Sequence, residues 1–425
     1  MDIFLSILLL LSYFGLIYYA VKGGNLMIGF FVMAILWIII GGIPYHVAIN
    51  TVIEKGAESY AVTALVVIFG SWFGRVLVDT GIAGSIIRKL VELGGEKPLI
   101  ITILLSIVSS LIFTSAFGVG AVIAIGVIIL PILLSLGVPK RVAISSFTLS
   151  VGAGLYVNIV LFKQIQLFFP SIKYGPSWLH FGFIAMGLQM VVVIIMLIFH
   201  LRSSKLQQAW AAPNPNPNEP PADAPVYSFI VPVIPVLMAI VFSWPPIPAL
   251  LVAIILAFLL TNKFSNWKNA VSIIQKTFYD GVSDVALLLG MLFMLAMFGK
   301  AAGKNADIFK PLIGPIIPHD PWVIAIAIGI LAPLALFRGP LMIWGAGSAT
   351  IAILSALNIF PPAMLLPLVY IPTISMAISA DATQSWNLWA INYSKVGVKS
   401  FLKTGVPWAW AVVIINELIA VYMFR

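Results

Sequence analysis

Two charged residues stand alone inside long apolar stretches, and both are of types that bind anions or protons. Arg338 is the single charged residue in 321–357, and Asp381 is the single charged residue in 362–393. An ionised side chain at the centre of a bilayer costs at least about 2.5 kcal/mol, so each charge needs compensation. A guanidinium can hold a carboxylate through two parallel hydrogen bonds. An acid at such a place can bind a proton or contribute to a Na⁺ site.

Both residues also have a purely structural interpretation. Arg338 could form an internal pair with Asp381 or reach water at the membrane interface. Asp381 could instead cap a helix, because Asp is a favoured N-cap residue. Lys163 and Gln164 are weaker candidates, because a lysine near the end of a span can extend to the interface. The four histidines do not cluster in the sequence, so no metal site is predicted.

The composition is that of a membrane protein with many spans. Hydrophobic residues make up 61% of the 425 residues, charged residues make up 9%, and the mean hydropathy is +1.11. Soluble domains carry about 25% charged residues, which are needed to keep a large surface in water. The net charge of +9 comes mostly from Lys and Arg in short loops beside apolar stretches. This placement is typical of the positive-inside rule, and no nucleic-acid partner is predicted.

Several classes of function have no signature in the sequence. The chain has no cysteine, which excludes disulfides and thiolate metal sites. It contains no phosphate-binding loop of the Walker type and no nucleophile motif. Neither an ATP-driven pump nor an intramembrane hydrolase is therefore supported, and no enzyme activity is predicted.

Short polar segments interrupt the apolar stretches at matching places in the two halves. Segment 114–120 is matched by 338–348, and segment 150–158 is matched by 379–384. Hydroxyl groups, glycines that permit close backbone approach, and helix N-termini would together suit a carboxylate. The alternative is that these small residues only allow tight packing between helices. Their recurrence in both halves favours a binding site near the bilayer midplane.

The apolar stretches divide the chain into two halves of similar design. Gly56 and Gly281 open corresponding runs and lie 225 residues apart. Crossings of about 20 residues are predicted at 3–20, 26–43, 60–77, 141–169, 179–201, 227–244, 248–263, 282–299, 362–393 and 404–424. Two further stretches, 98–137 and 321–357, are each too long for one span and carry a central polar break. We expect each to be a re-entrant hairpin whose exposed backbone faces protein or a water-filled cavity.

Five crossings per half would insert the second copy upside down relative to the first. Fifteen Lys and Arg residues fall on the side that holds the loops after the odd-numbered crossings, and seven fall on the other. The richer side is predicted to be cytoplasmic. Segments 81–97 and 301–318 are predicted to be amphipathic arms in the interface. The segment 203–226 is predicted to be a cytoplasmic linker, because its prolines cannot continue a helix.

The predicted fold is therefore an all-α polytopic membrane protein made of two inverted repeats. The repeats are 1–202 and 227–425, each with five crossings, a re-entrant hairpin and a broken helix. The candidate substrate-binding residues lie in the tips and breaks: Thr114, Ser115, Gly118, Gly120, Ser150, Gly152, Asn158, Arg338, Gly339, Gly345, Gly347, Ser348, Ser379, Thr383 and Gln384. Asp381 and its repeat counterpart Asn158 are the candidates for binding the coupling ion.

This order of parts resembles the ion transporter superfamily over nearly the whole chain. Within it, the stretch Gly-Ser-Trp-Phe-Gly-Arg-Val-Leu-Val-Asp-Thr-Gly at 70–81 is similar to the gluconate permease and citrate transporter branches. The stretch Asp-Gly-Val-Ser-Asp-Val-Ala at 280–286 is similar to the same branches. The resemblance implies a secondary transporter for small organic anions, commonly a homodimer. In such a transporter a domain with hairpins and broken helices moves against a scaffold.

The hairpin tips depart from one pattern within that superfamily. Members that carry divalent anions have Ser-Asn-Thr at the tips, whereas this chain has Thr-Ser-Ala at 114–116 and Arg-Gly-Pro at 338–340. The difference favours a proton-coupled carrier of a monocarboxylate or sugar acid over a Na⁺-coupled dicarboxylate carrier. We therefore expect H⁺, or else Na⁺, as the coupling ion, with no other cofactor.

The expected function is symport of a small organic anion across the inner (plasma) membrane by a homodimer embedded in the lipid bilayer. A cation/proton antiporter is the alternative within transport, and it would have to hold Arg338 in an internal ion pair. A channel or a membrane-embedded enzyme is the alternative outside this class. A channel has no need of two mirrored hairpins, and an enzyme needs a nucleophile or metal constellation that the sequence lacks.

Overall fold

The structure, a computed structural model, describes residues 2–94, 97–202, 224–313, 315 and 317–425. Every regular element within these ranges is a helix. Most of the predicted linker, 203–223, lies outside the described residues.

The first half contains nine helices in the described ranges. They are α1 (Asp2–Val21), α2 (Leu26–Ile40), α3 (Tyr45–Asp79), α4 (Ile82–Gly94), α5 (Pro98–Phe113), α6 (Val119–Ser135), α7 (Lys140–Leu155), α8 (Ile159–Gln166) and α9 (Pro176–Leu201). Helix α3 includes a π-helical segment, Ala48–Glu54, near its start. Helices α5 and α6 form the first hairpin, and α7 and α8 form a pair bent by 65°.

The second half repeats this order of elements. It contains α10 (Val226–Phe242), α11 (Pro246–Leu260), α12 (Trp267–Lys304), α13 (Ala306–Ile313), α14 (Pro321–Arg338), α15 (Gly347–Leu357), α16 (Pro362–Ile378), α17 (Ser385–Ser394) and α18 (Val398–Phe424). The first part of α10 and the last part of α14 are 3₁₀ helices, and α16 ends in a π-helical segment. Helices α14 and α15 form the second hairpin.

The two long helices α3 and α12 pack against each other through a pair of equivalent glycine contacts. A Cβ on Gly56 would come within 2.9 Å of the Met297 Cα, and a Cβ on Gly281 would come within 2.8 Å of the Trp72 Cα. The offset of 225 residues that relates Gly56 to Gly281 also relates Trp72 to Met297. The offset therefore maps each glycine contact onto the other. This is the pattern expected where two similar units pack about a two-fold axis.

Six helices of the described structure are long and apolar enough to cross a membrane, or seven if the bent pair α7–α8 counts as one span. One of the six is α14, which belongs to the stretch 321–357 that was predicted to be a re-entrant hairpin, and several predicted crossings are formed by shorter apolar helices such as α2 and α11. Large apolar side chains cover outward faces, with Ile3 and Phe199 each more than two-thirds exposed. This surface suits lipid. The count of ten crossings and the inversion of the second repeat stay predictions.

Several predicted boundaries are wrong. Helix α3 begins at Tyr45 and not at residue 60, because the π-helical turn continues the helix through a region that looked like a loop. Helix α12 runs from Trp267 to Lys304, well beyond the predicted 282–299. The second arm is therefore shortened to α13, while the first arm matches α4. Arg75, one of the fifteen basic residues assigned to the predicted cytoplasmic side, lies inside α3 and not in a loop.

Candidate functional site

The two hairpin tips meet, and a cavity of about 540 Å³ lies beside them. The rings of Phe117, in the first tip, and Trp344, in the second, make an edge contact with centroids 6.2 Å apart. The loop between α1 and α2, the middle of α12 and the second helix break complete the walls. Of the residues predicted from sequence, four line this cavity: Gly118, Arg338, Thr383 and Gln384.

Arg338 is held at the cavity wall by two backbone carbonyl groups. Its Nη1 donates to the Trp344 oxygen and its Nη2 donates to the Thr383 oxygen, both at 3.1 Å. A guanidinium has five N–H donors, so three remain for other partners. Arg338 does not pair with Asp381 among the described contacts, and its carbonyl partners connect the second tip to the second break.

The backbone of the second tip is strained where it carries Arg338. Phe337 and Arg338 have φ values of +56° and +61°, in the left-handed region that non-glycine residues rarely adopt. The Arg338 oxygen accepts a hydrogen bond of 2.9 Å from the Ala346 nitrogen, which closes the turn. Any Cβ on Gly345 would overlap the Arg338 backbone, so glycine is required there. Strain of this kind concentrates at functional sites and needs surrounding structure to hold it.

Asp381 lies in the second break and contacts the same residue that holds Arg338. Its Oδ1 accepts a hydrogen bond from the Thr383 nitrogen at 2.9 Å, and its Oδ2 accepts one from the Thr383 hydroxyl at 2.7 Å. The side chain is fully buried. The N-cap of α17 is Gln384, so Asp381 does not cap that helix. Thr383 thus connects an acid to the guanidinium at the cavity wall.

The first break is built differently and does not line the cavity. Asn158 caps α8, with its Oδ1 accepting from the nitrogens of Val160 and Leu161 at 2.9 and 3.1 Å. Its Nδ2 donates to the oxygens of Phe113 and Ala116, each at 3.0 Å. The amide therefore fixes the bend and the first hairpin tip together. No hydrogen-bonding group of Asn158 remains for a substrate.

A further contact joins the first break to the second tip. The indole Nε1 of Trp344 donates to Gln164 Oε1 on α8 at 2.9 Å, and both side chains are buried. Gln164 was a weaker candidate from sequence, and the structure places it behind the tip contact. Side chains thus connect the two hairpin tips with α8, the helix after the first break.

An ion pair that sequence reasoning did not find borders the cavity. Arg75 on α3 donates from Nε and Nη2 to the two carboxylate oxygens of Asp284 on α12, at 2.6 and 2.7 Å. Asp284 lines the cavity. Gly120 makes room for the pair, because a Cβ there would overlap both charged groups. Arg75 and Asp284 belong to the two stretches, 70–81 and 280–286, that carry the family resemblance. That resemblance was the one feature of the sequence that drew attention to these two segments.

A second cavity of about 520 Å³ lies further along α12. The first cavity is lined by the part of α12 between Asp284 and Met291, and the second by the part between Leu295 and Lys300. Ser59, Val62 and Thr63 line the second cavity. The 225-residue offset relates these three residues to Asp284, Leu287 and Leu288 of the first cavity. Three lining positions of the two cavities are therefore related by the repeat offset.

The remaining predicted residues do not line the first cavity. Ser150 and Gly152 lie inside α7, so the first break is confined to 156–158 and is shorter than predicted. A Cβ on Gly152 would overlap the Ser379 hydroxyl, so this glycine serves helix packing. The others form the tips and their supports: Thr114, Ser115, Gly120, Asn158, Gly339, Gly345, Gly347, Ser348 and Ser379. Within the described residues, no group of three His, Cys, Asp or Glu side chains could hold a metal ion.

Comparison with solved structures identifies a similar fold. The chain resembles the crystal structure of the Alcanivorax borkumensis YdaH transporter, with a TM-score of 0.64 over 94% of this chain and 98% of that chain. The sequences are 11% identical, so the likeness concerns the fold. No family model and no curated protein matches this sequence. The all-helical polytopic fold is confirmed, whereas membership of the ion transporter superfamily stays a prediction.

Proposed function

We propose that the protein is a secondary active transporter that carries a small organic anion, such as a sugar acid or another carboxylate, together with a cation. H⁺ is favoured over Na⁺ as that cation. The observation that carries the proposal is the placement of Arg338 at the wall of a cavity beside the two hairpin tips. The guanidinium is oriented by two carbonyls and keeps three N–H donors.

Three further observations support transport. The chain shares its fold with a protein whose structure is described as that of a transporter. Its two cavities lie at different levels of α12 and are lined in part by repeat-related residues, as expected of a transporter whose binding sites lie at the interface of two repeats. The helix breaks occur in corresponding places in the two halves, and such breaks mark binding sites in transporters.

The charge balance at the cavity favours an anion over a cation. Arg338 contacts carbonyl groups and no acid in the described structure, so its charge is not cancelled by an ion pair. The antiporter alternative needs such a pair, because an uncompensated guanidinium repels a cation. The nearby cation Arg75 is already neutralised by Asp284. An anionic substrate would accept hydrogen bonds from the N–H groups of Arg338 that the two carbonyls leave available.

Asp381 is the proposed link between the cation and the anion. Thr383 donates two hydrogen bonds to Asp381 and accepts one from Arg338. A protonated carboxyl is a weaker acceptor than a carboxylate, so binding a proton would loosen Thr383 and shift the guanidinium that it orients. The substrate site would then respond to the protonation of a residue that does not line the cavity.

The test is uptake into proteoliposomes of a labelled panel of gluconate, lactate, succinate and citrate. Accumulation of at least one acid under an inward pH gradient is the expected result. With one proton per anion, a gradient of one pH unit supports about tenfold accumulation. A Na⁺ gradient serves as the comparison, and empty liposomes serve as the control. If none of these acids accumulates under either gradient, a coupled carrier of these anions is excluded.

A further inference from the structure

The last helix carries an acid that is buried and has no partner among the described residues. Helix α18 buries one stripe of side chains, which includes Val413, Asn416, Glu417 and Ala420. Glu417 is fully buried, and neither of its carboxyl oxygens has a hydrogen-bond partner. It lies seven residues before the end of the helix, roughly 10 Å from it. Lone acids at such depth are expensive and are functional by default.

Few charged groups are available to Glu417. Helix α18 packs against α7, α9, α14 and α16. The titratable residues on these helices, on α18 itself and in the first break are Lys140, Arg141, Tyr156, His180, His200, Arg338, Tyr370, Lys399, Lys403 and Tyr422. Among them, Tyr156 interacts electrostatically with Glu417. An ionised carboxylate without a counter-charge or hydrogen bond costs several kcal/mol to bury, so the neutral acid is the form that this environment accepts.

A chain of buried hydrogen bonds starts beside this acid. The Asn416 Nδ2 donates to the Tyr156 hydroxyl at 3.0 Å, and that hydroxyl lies 2.6 Å from the Ser375 hydroxyl. Ser375 donates to Gln189 Oε1 at 2.7 Å, and Gln189 Nε2 donates to the Ser379 hydroxyl at 3.2 Å. All five residues are fully buried. The chain joins the first break, at Tyr156, to the second break, at Ser379.

The donors along this chain have a fixed direction. The single proton of the Ser375 hydroxyl is used on Gln189. Tyr156 must therefore donate its proton to Ser375 and accept from Asn416. Because Tyr156 interacts electrostatically with Glu417, a negative charge on Glu417 would favour turning the Tyr156 O–H away from Ser375 and towards the acid. Ser375 would then lose its donor, within the π-helical end of α16 that leads to Asp381.

We propose that Glu417 is a proton-binding site of the transport cycle, and that its protonation is sensed at the second helix break through Tyr156, Ser375 and Gln189. The ligand is a single proton, which converts a carboxylate to a carboxylic acid. When Glu417 is neutral, the chain of hydrogen bonds is intact, as in this structure. When Glu417 is charged, the hydrogen bonds rearrange at Ser375. This inference rests on the proposed function, since it assigns one more group to the coupling of that same transporter.

The test has one measurement that needs no substrate. Infrared difference spectra of the reconstituted protein, recorded across a pH step, report the carbonyl stretch of each carboxyl group that changes protonation. The expected result is a carboxyl band in the wild type that is lost in Glu417→Gln and shifted in Glu417→Asp. Glu58→Gln, the same change at an exposed glutamate, is the matched control and should keep the band. An unchanged carboxyl band in both Glu417 variants would overturn the proposal.

A second measurement tests the role in transport. It uses whichever of gluconate, lactate, succinate or citrate the wild type accumulates. Glu417→Gln should bring pH-driven accumulation down to the equilibrium level, about tenfold lower for a one-unit gradient. Accumulation that matches the wild type would contradict the inference and leave the proposed function standing. If the wild type transports no acid while Glu417→Gln loses the infrared band, the proposed function fails and the proton site remains.

Discussion

The two helix breaks occupy corresponding places in the two halves, yet their polar side chains do different work. In the first break, all four hydrogen bonds of Asn158 go to backbone groups of α8 and of the first hairpin tip. In the second break, Asp381 binds Thr383, which in turn holds Arg338 at the cavity wall. The comparison indicates that one repeat supplies a fixed support and the other supplies the groups that can respond to a ligand.

The largest functional effect, a complete loss of coupling, should come from removing the charge of Asp381. Asp381→Asn keeps the size of the side chain but cannot change its charge, so uptake driven by pH should fall to the equilibrium level. For a gradient of one pH unit this is about a tenfold loss of accumulation. Exchange of labelled for unlabelled acid across the membrane should persist. If Asp381→Asn still accumulates the acid against its gradient, another residue must couple the ion to the anion. The two breaks would then not differ in the way proposed.

The next effect concerns the affinity for the anion. Arg338→Ala removes charge-assisted hydrogen bonds worth about 1.5–3 kcal/mol, so the apparent affinity should fall roughly 10- to 100-fold. Arg338→Lys keeps the charge but loses the planar fork, and its affinity should lie between those of the wild type and Arg338→Ala. Concentration dependence of uptake measures both. An affinity unchanged in Arg338→Ala would make the arginine structural, like Asn158.

A smaller effect, on stability, is expected in the first break. Asn158→Ala removes an N-cap worth about 1 kcal/mol and leaves two buried carbonyls without their donor, at about 1 kcal/mol each. The free energy of unfolding should fall by about 3 kcal/mol, seen as a lower melting temperature in detergent. Asn158→Asp keeps the cap but sets a buried carboxylate oxygen against both carbonyls, so it should destabilise the protein at least as much as Asn158→Ala. A loss of substrate affinity without loss of stability would make the two breaks functionally alike.

The smallest effect tests the symmetry of the scaffold that both breaks share. Gly56→Ala and Gly281→Ala each push a Cβ into the backbone of the opposite long helix. Both should destabilise the protein by about 2 kcal/mol, and by similar amounts. Gly187→Ala is the matched control, because a Cβ there meets nothing within 4 Å on α9. Clearly unequal losses in the two variants would show that the repeat contacts are not equivalent.

Particular residues show how far sequence reasoning reached. Arg338, Thr383, Gln384 and Gly118 could be predicted because an isolated charge or a polar break in an apolar stretch is a local signal. The Arg75–Asp284 pair could not, because its partners lie 209 residues apart and each looks like an ordinary loop or helix-end charge. Glu417 was missed because a single acid near the end of an apolar helix resembles an interfacial residue.

The sequence by itself determined that the chain is helical and membrane-embedded, that its elements recur at an offset of 225 residues, and which segments are broken. These properties depend on hydropathy and on the local preferences of glycine and proline. Only the tertiary structure decided which broken segment faces a cavity. Asn158 and Asp381 occupy comparable local sequences, but the packing around Asn158 satisfies its amide completely, whereas Asp381 acts through Thr383 on Arg338. That difference depends on contacts between distant helices, which local sequence does not encode.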